Sequence, residues 1–128
     1  MKTLIFRGAT RSDLERILSI DHEAYSRVSA EVTATPEMML TRIDVSGDWF
    51  IVAELEGVIW GYLSLQPTKK TPTDFTTWQD ATDDGTLVST FAADGDYVYG
   101  VALTISPHAP RSVDFSELLM IQAGIKVI

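Results

Sequence analysis

A proline ends an apolar, strand-forming run in the stretch Tyr97-Val98-Tyr99-Gly100-Val101-Ala102-Leu103-Thr104-Ile105-Ser106-Pro107. Aromatic and β-branched residues dominate this run and predict a strand over residues 97–105. Gly100 lies in its middle, where a glycine indicates a bulge or the close approach of another backbone. A short loop follows, and Asp114 or Ser116 can cap a last helix with the predicted apolar stripe Leu118, Ile121, Ile125 and Ile128.

A β-hairpin is predicted upstream of this strand. Residues 49–53 are continuously apolar, as in a strand that is covered on both faces. Glu56 and Gly57 indicate a tight turn, and residues 58–65 are the returning strand. A further short strand is predicted over residues 3–9.

Two helices are predicted between the first strand and the hairpin. Thr10 and Asp13 form a variant of the capping box. Apolar residues then recur at helical spacing, interrupted by Asp21, at Leu14, Ile17, Leu18, Tyr25 and Val28. The second helix is predicted to begin at Thr35-Pro36-Glu37, which supplies a cap, a proline at the first helical position and an acid in the first turn. It is expected to end at residues 46–48.

Residues 67–96 form a long acidic insertion between the hairpin and the strand at residue 97. The insertion contains eight threonines and six aspartates against two lysines, so it carries half of the chain's net charge of −8. A connection of this length inside a small domain is usually functional or partly mobile.

Composition limits the classes of function. A chain of 128 residues predicts a single domain over residues 1–128, and the absence of cysteine excludes disulfides, thiolate catalysis and thiolate metal sites. No apolar stretch approaches the roughly 20 residues of a bilayer span, so no membrane partner is expected and a cytoplasmic location follows. The net negative charge argues against a nucleic-acid surface.

The order of the elements and the residues around the proline resemble the GNAT superfamily of N-acetyltransferases. In that family a strand ends in an apolar-x-apolar-x-Pro pattern, here residues 103–107, and an Arg/Gln-x-x-Gly-x-Gly/Ala loop opens into an apolar helix. The resemblance covers nearly the whole chain. It implies a mixed α/β (α+β) fold in which helices flank a mostly antiparallel central sheet.

The resemblance also implies acetyl-CoA as cosubstrate, with no metal. Backbone groups of Leu103, Thr104 and Ile105 would contact the pantetheine arm and the thioester. Amide groups at the start of the following helix would bind the pyrophosphate. Carried over position by position, that loop consists of Arg111, Ser112, Val113, Asp114, Phe115 and Ser116.

Two features depart from the family pattern. Ser112 and Asp114 stand where the family has glycine, and the carboxylate of Asp114 would repel a phosphate. The sequence also stops at Ile128, before the strand and helix that complete the acceptor cleft in the family. We therefore expect a domain that is incomplete at its C-terminus, with an exposed sheet edge that invites a homodimer or strand exchange.

Acyl transfer to an amine requires a base, and the sequence leaves the catalytic residues open. Asp96, at the start of a strand, and Glu54, on the neighbouring strand, are candidates. A solvated carboxylate at a strand end is the simpler interpretation of each. The acidic insertion either attracts a cationic amine through its field or is a solvated loop.

The leading hypothesis is acetyl transfer from acetyl-CoA to a small-molecule primary amine. Attack is expected to be direct, because no cysteine is available for a covalent intermediate. One alternative is a catalytically inactive remnant or interaction module that keeps the fold without binding CoA. Another is one half of an exchanged dimer whose cleft is completed by a second chain.

Overall fold

The computed structural model describes residues 4–25, 34–74, 77–112 and 114–116. Its centre is a four-stranded antiparallel sheet in the order β1-β2-β3-β4. The strands are β1 (Leu4–Gly8), β2 (Phe50–Leu55), β3 (Val58–Thr68) and β4 (Tyr97–Ile105), and the helices are α1 (Leu14–Tyr25), α2 (Pro36–Ser46) and α3 (Trp78–Thr82). The predicted mixed α/β class with an antiparallel sheet is confirmed. Val28 and the predicted helix beyond Ser116 lie outside the described residues.

Both long helices begin where the sequence indicates. The Asp13 carboxylate accepts the backbone N–H of Thr10 at 2.8 Å, and one turn of 3-10 helix leads into α1. Thr35 Oγ1 accepts the N–H of Met38 at 3.2 Å and so caps α2. α2 stops at Gly47, whose φ of 55° few other residues tolerate.

None of the helices in the described ranges is both long and apolar enough to cross a membrane.

The β2–β3 hairpin is confirmed, and its second strand is longer than predicted. Glu56 and Gly57 make the turn with φ values of 50° and 83°. β3 continues to Thr68 because its last residues pair with the first residues of β4. The insertion therefore begins after Thr68, two residues later than its predicted start at residue 67.

The bulge that Gly100 indicated is present in β4. Ser64 pairs with Ala102 and Leu65 pairs with Gly100, so Val101 is an extra residue without an opposing partner on β3. A bulge bends the strand and redirects its side chains. The bulge lies beside α3, because the carbonyl of Val101 accepts the indole N–H of Trp78.

The two faces of the sheet carry separate apolar clusters. On one face, α1 and α2 pack against β2 and β3 through Ile17, Ile20, Met39, Ile43, Phe50, Val52 and Tyr62. On the other face, Ala53, Leu63 and Leu65 are buried, and Leu103 and Phe115 pack against them. Burial of each large apolar side chain stabilises the fold by about 1.5–3 kcal/mol.

Candidate functional site

A cavity of about 380 Å³ lies between the three helices and the bulged part of β4. Its charged and hydroxyl-bearing wall residues are Asp21, Tyr25, Arg42 and Tyr62, while Trp78 and the bulge residue Val101 add apolar surface. Concave sites with a few convergent polar groups are typical of small-molecule binding.

Asp21 is a buried carboxylate in the wall of this cavity, with 5% of its surface exposed. Its Oδ1 accepts the Tyr62 hydroxyl at 2.8 Å, and its Oδ2 accepts the N–H of Ala34 at 2.9 Å. Burial, reinforced by the charge of Asp21, raises the pKa of Tyr62, so the phenol stays protonated as the donor. Each carboxylate oxygen can accept a second hydrogen bond, which leaves Asp21 able to bind a ligand.

Tyr25 joins the end of α1 to β4. Its hydroxyl lies 3.0 Å from Thr104 Oγ1, and Thr104 is almost fully buried. This contact places a hydroxyl group of the cavity beside the strand that the sequence assigns to the thioester.

Arg42 is a buried cation in the same cavity, with 3% of its surface exposed. Its Nε donates to the Gly85 carbonyl at 2.7 Å, and its Nη2 lies 3.2 Å from Met38 Sδ. Among the residues that the structure describes, no carboxylate lies within ion-pair distance of the guanidinium. Burial lowers the pKa of Arg42, and the charge of Asp21 partly opposes this effect. The cavity therefore contains a guanidinium group that no carboxylate of the described residues contacts.

The acidic insertion supplies one wall of the cavity. Thr77 caps the short helix α3 by accepting the N–H of Asp80 at 3.1 Å. The indole N–H of Trp78 donates to the carbonyl of Val101 at 2.9 Å and so attaches α3 to the bulge. The middle of the insertion is packed rather than solvated, since Thr82 and Leu87 are fully buried.

Of the three strand residues that the sequence assigned to CoA, two have backbone groups that point outward from the edge of β4. Ser106 donates its N–H to the Trp60 carbonyl on β3 at 2.8 Å, and Thr104 pairs with Tyr62. Because backbone direction alternates along a strand, the N–H and C=O groups of Leu103 and Ile105 point away from β3.

The predicted pyrophosphate loop is described only in part. Arg111, Ser112 and Ser116 are exposed, while Val113 lies outside the described residues and Phe115 packs against the sheet. The Asp114 carboxylate accepts the N–H of Ser116 at 2.8 Å, and this hydrogen bond lowers the pKa of Asp114. An amide that the family resemblance assigns to a phosphate is thus hydrogen-bonded to a carboxylate.

The two candidate bases lie elsewhere. The Glu54 carboxylate on β2 accepts a hydrogen bond at 3.3 Å from Nε of Arg7 on β1. Asp96 is exposed in the residue before β4. Neither residue lines the cavity, and their assignment as the base stays a prediction.

Sequence reasoning missed Asp21, Arg42 and Trp78 as site residues. For the first two a signal was present, because each is a charged residue on the apolar side of its helix. For Trp78 the signal was weaker, since one aromatic residue in an acidic insertion has no periodic pattern around it.

The architecture matches solved GNAT-like domains. The loading GNATL domain of CurA from Lyngbya majuscula superposes with a TM-score of 0.74 at 15% identity, over 96% of this chain and 56% of that one. The GphF GNAT-like decarboxylase in complex with isobutyryl-CoA gives 0.68 at 21% identity, over 92% and 56%. The paia N-acetyltransferase from Thermoplasma acidophilum in complex with coenzyme A gives 0.60 at 14% identity, over 98% and 72%.

These likenesses establish a GNAT-like fold, as the sequence predicted. No protein-family model and no curated protein sequence matches the chain. The chain spans 56% of the length of the first two structures that it resembles.

Proposed function

We propose that this chain binds an acyl-CoA thioester along β4 and transfers the acyl group, with acetyl as the first candidate, to a primary amine in the cavity. The observation that carries the proposal is the position of the cavity at the bulge of β4, between Asp21 and the strand. Two of the similar structures contain coenzyme A or isobutyryl-CoA, which supports a CoA thioester as the ligand class.

The residues of β4 fit the pantetheine arm. The outward backbone groups of Leu103 and Ile105 can pair with its amides as an added strand would. One of these N–H groups can also polarise the thioester carbonyl, because a fixed donor stabilises the negative charge that develops on that oxygen.

In the proposed reaction, Asp21 takes a proton from the substrate ammonium, and the free amine attacks the thioester carbonyl carbon. A C–N bond forms and the C–S bond breaks, so CoA leaves as a thiolate. The nitrogen also loses a second proton, and that proton is transferred to the CoA thiolate. Tyr25, hydrogen-bonded to Thr104 on β4, is the candidate group that relays it.

Isothermal titration of the chain with CoA tests the binding step. The proposal requires saturable binding, and the absence of heat at millimolar CoA would remove it. Transfer is then followed with a thiol reagent, which reports only released CoA because the chain has no cysteine. Asp21→Asn should retain CoA binding while transfer falls by about 100-fold or more.

One contact favours a second candidate, a domain that keeps the fold without binding CoA. The hydrogen bond from Ser116 to Asp114 places negative charge within the predicted pyrophosphate loop. A domain of this kind would leave the edge of β4 available to a second copy of the chain. It predicts dimerisation in sedimentation experiments without any response to CoA.

A further inference from the structure

We propose that the acceptor is an amine that also carries a carboxylate, as a free amino acid does, with Arg42 binding the carboxylate and Asp21 binding the ammonium group. This inference rests on the proposed function for the reaction itself. It names the substrate class of the same cavity, and its binding step can be tested without CoA.

The charge balance of Arg42 is the first argument. An isolated buried cation is costly, and proteins normally pair a buried guanidinium with an anion. Among the described residues, the guanidinium contacts the Gly85 carbonyl, Met38 Sδ and the face of the Trp78 ring, and all three are neutral groups. A ligand carboxylate would supply the missing anion, and a guanidinium matches a carboxylate with two parallel hydrogen bonds.

The second argument is that the cavity is lined by a negative charge as well as a positive one. Asp21 faces this cavity from α1 while Arg42 faces it from α2. A simple anion would be repelled by Asp21, and a simple amine would be repelled by Arg42. A zwitterion presents one charge to each residue, so it satisfies both.

The remaining walls indicate the acceptor side chain. Trp78, Met38, Ala102 and Val101 line the cavity with mostly apolar surface, and the cavity volume of about 380 Å³ suits a molecule the size of an amino acid. L-leucine and isoamylamine, which is leucine without its carboxylate, therefore form a matched pair of probes.

The first experiment measures the binding of both probes to the unmodified chain in the absence of CoA, by isothermal titration. Leucine should bind at least about tenfold more tightly than isoamylamine, the difference expected from one charge-assisted bidentate contact. Equal affinities, or tighter binding of the amine, would overturn the inference. This comparison needs no variant and so does not depend on whether a variant folds.

The second experiment assigns the preference to Arg42. Arg42→Gln keeps a donor for the Gly85 carbonyl, and it should weaken leucine binding about tenfold or more while isoamylamine binding stays the same or improves. Arg42→Lys should keep part of the preference. Arg11→Gln is the control, because Arg11 is an exposed residue paired with Asp44 outside the cavity. An equal loss for both probes in Arg42→Gln would mean that Arg42 acts on the fold alone.

A third measurement separates the acceptor from the acyl donor as the source of the carboxylate. The ratio of the affinity for succinyl-CoA to the affinity for acetyl-CoA should be the same in Arg42→Gln as in the unmodified chain. If Arg42→Gln selectively weakens succinyl-CoA, the carboxylate belongs to the acyl group and the inference is wrong. If CoA fails to bind but leucine is preferred through Arg42, the acyl-transfer proposal fails while the zwitterion site stands.

Discussion

The Tyr62 hydroxyl donates to the Asp21 carboxylate at 2.8 Å, across the interface between β3 and α1. This contact joins the centre of the sheet to a helix whose other fully buried residues, Ile17 and Ile20, are apolar. It is one of the two hydrogen bonds that the described residues donate to this buried carboxylate, and it holds the carboxylate in the wall of the cavity. One interaction thus serves the packing of α1 and the placement of the proposed base.

Tyr62→Phe should destabilise the fold by about 1–3 kcal/mol, because it removes a donor from a buried carboxylate. Urea denaturation monitored by circular dichroism measures the change. Tyr25→Phe is the matched control, since Tyr25 is only half-buried and its hydroxyl meets the neutral Thr104. A larger loss in Tyr25→Phe than in Tyr62→Phe would contradict the role given to Asp21.

The Arg7–Asp13 pair predicts a pH dependence of stability. Arg7 donates two hydrogen bonds to Asp13, at 2.8 Å and 2.9 Å, and they lower the pKa of that carboxyl in the folded state. Its contribution is therefore complete above the unfolded pKa of about 3.9, and it is lost as the pH falls through the lower folded value.

Asp13→Asn should reduce the free energy of unfolding by about 1 kcal/mol at pH 7. The difference from the unmodified chain should begin to shrink below about pH 4 and should vanish as the pH falls through the lower folded pKa of Asp13, because the carboxyl is then neutral in both states. Denaturation curves at pH 7 and pH 3 test this, and a difference that is the same at both values would show that charge is not involved.

Gly85 joins the insertion to Arg42 at a position that admits no side chain. Its φ is 88°, and a Cβ there would lie 2.5 Å from Met38 Sδ and 3.1 Å from Arg42 Nη2. Gly85→Ala should cost about 1–3 kcal/mol and weaken leucine binding, because it displaces the guanidinium. Gly57→Ala is the control for backbone strain alone, since its φ is 83° and no atom lies within 4 Å of the added Cβ. Equal costs in the two variants would refute the contact.

Asp114→Asn tests whether charge weakens CoA binding. The amide oxygen can still accept the N–H of Ser116, so the variant removes the charge and keeps the turn. CoA affinity should rise by roughly two- to fivefold at low salt and by less at high salt. Asp44→Asn, an exposed change on α2, controls for the overall charge of the chain. Weaker CoA binding in Asp114→Asn would mean that the carboxylate assists the ligand.

The sequence predicted the fold well because its signals are local. Thr10 and Asp13, Thr35 and Pro36, and the turn at Glu56 and Gly57 each specify an element through nearby backbone groups, and each is confirmed. The bulge at Gly100 was indicated in the same way.

The site was harder to predict because it joins residues that are distant in sequence. Asp21 looked like an interruption of an apolar stripe, and only the packing of α1 on β3 shows that Tyr62 is its partner. Arg42 meets Gly85 through an insertion whose path no periodicity describes. In both cases the sequence signal is a charged residue within an apolar helical face.

Amide chemical-shift changes on titration with CoA test the central proposal most directly. We predict saturable changes concentrated at Leu103, Thr104 and Ile105, in the loop from Arg111 to Ser116, and at the indole N–H of Trp78. No change at millimolar CoA, or changes confined to amides away from β4 and this loop, would contradict the account.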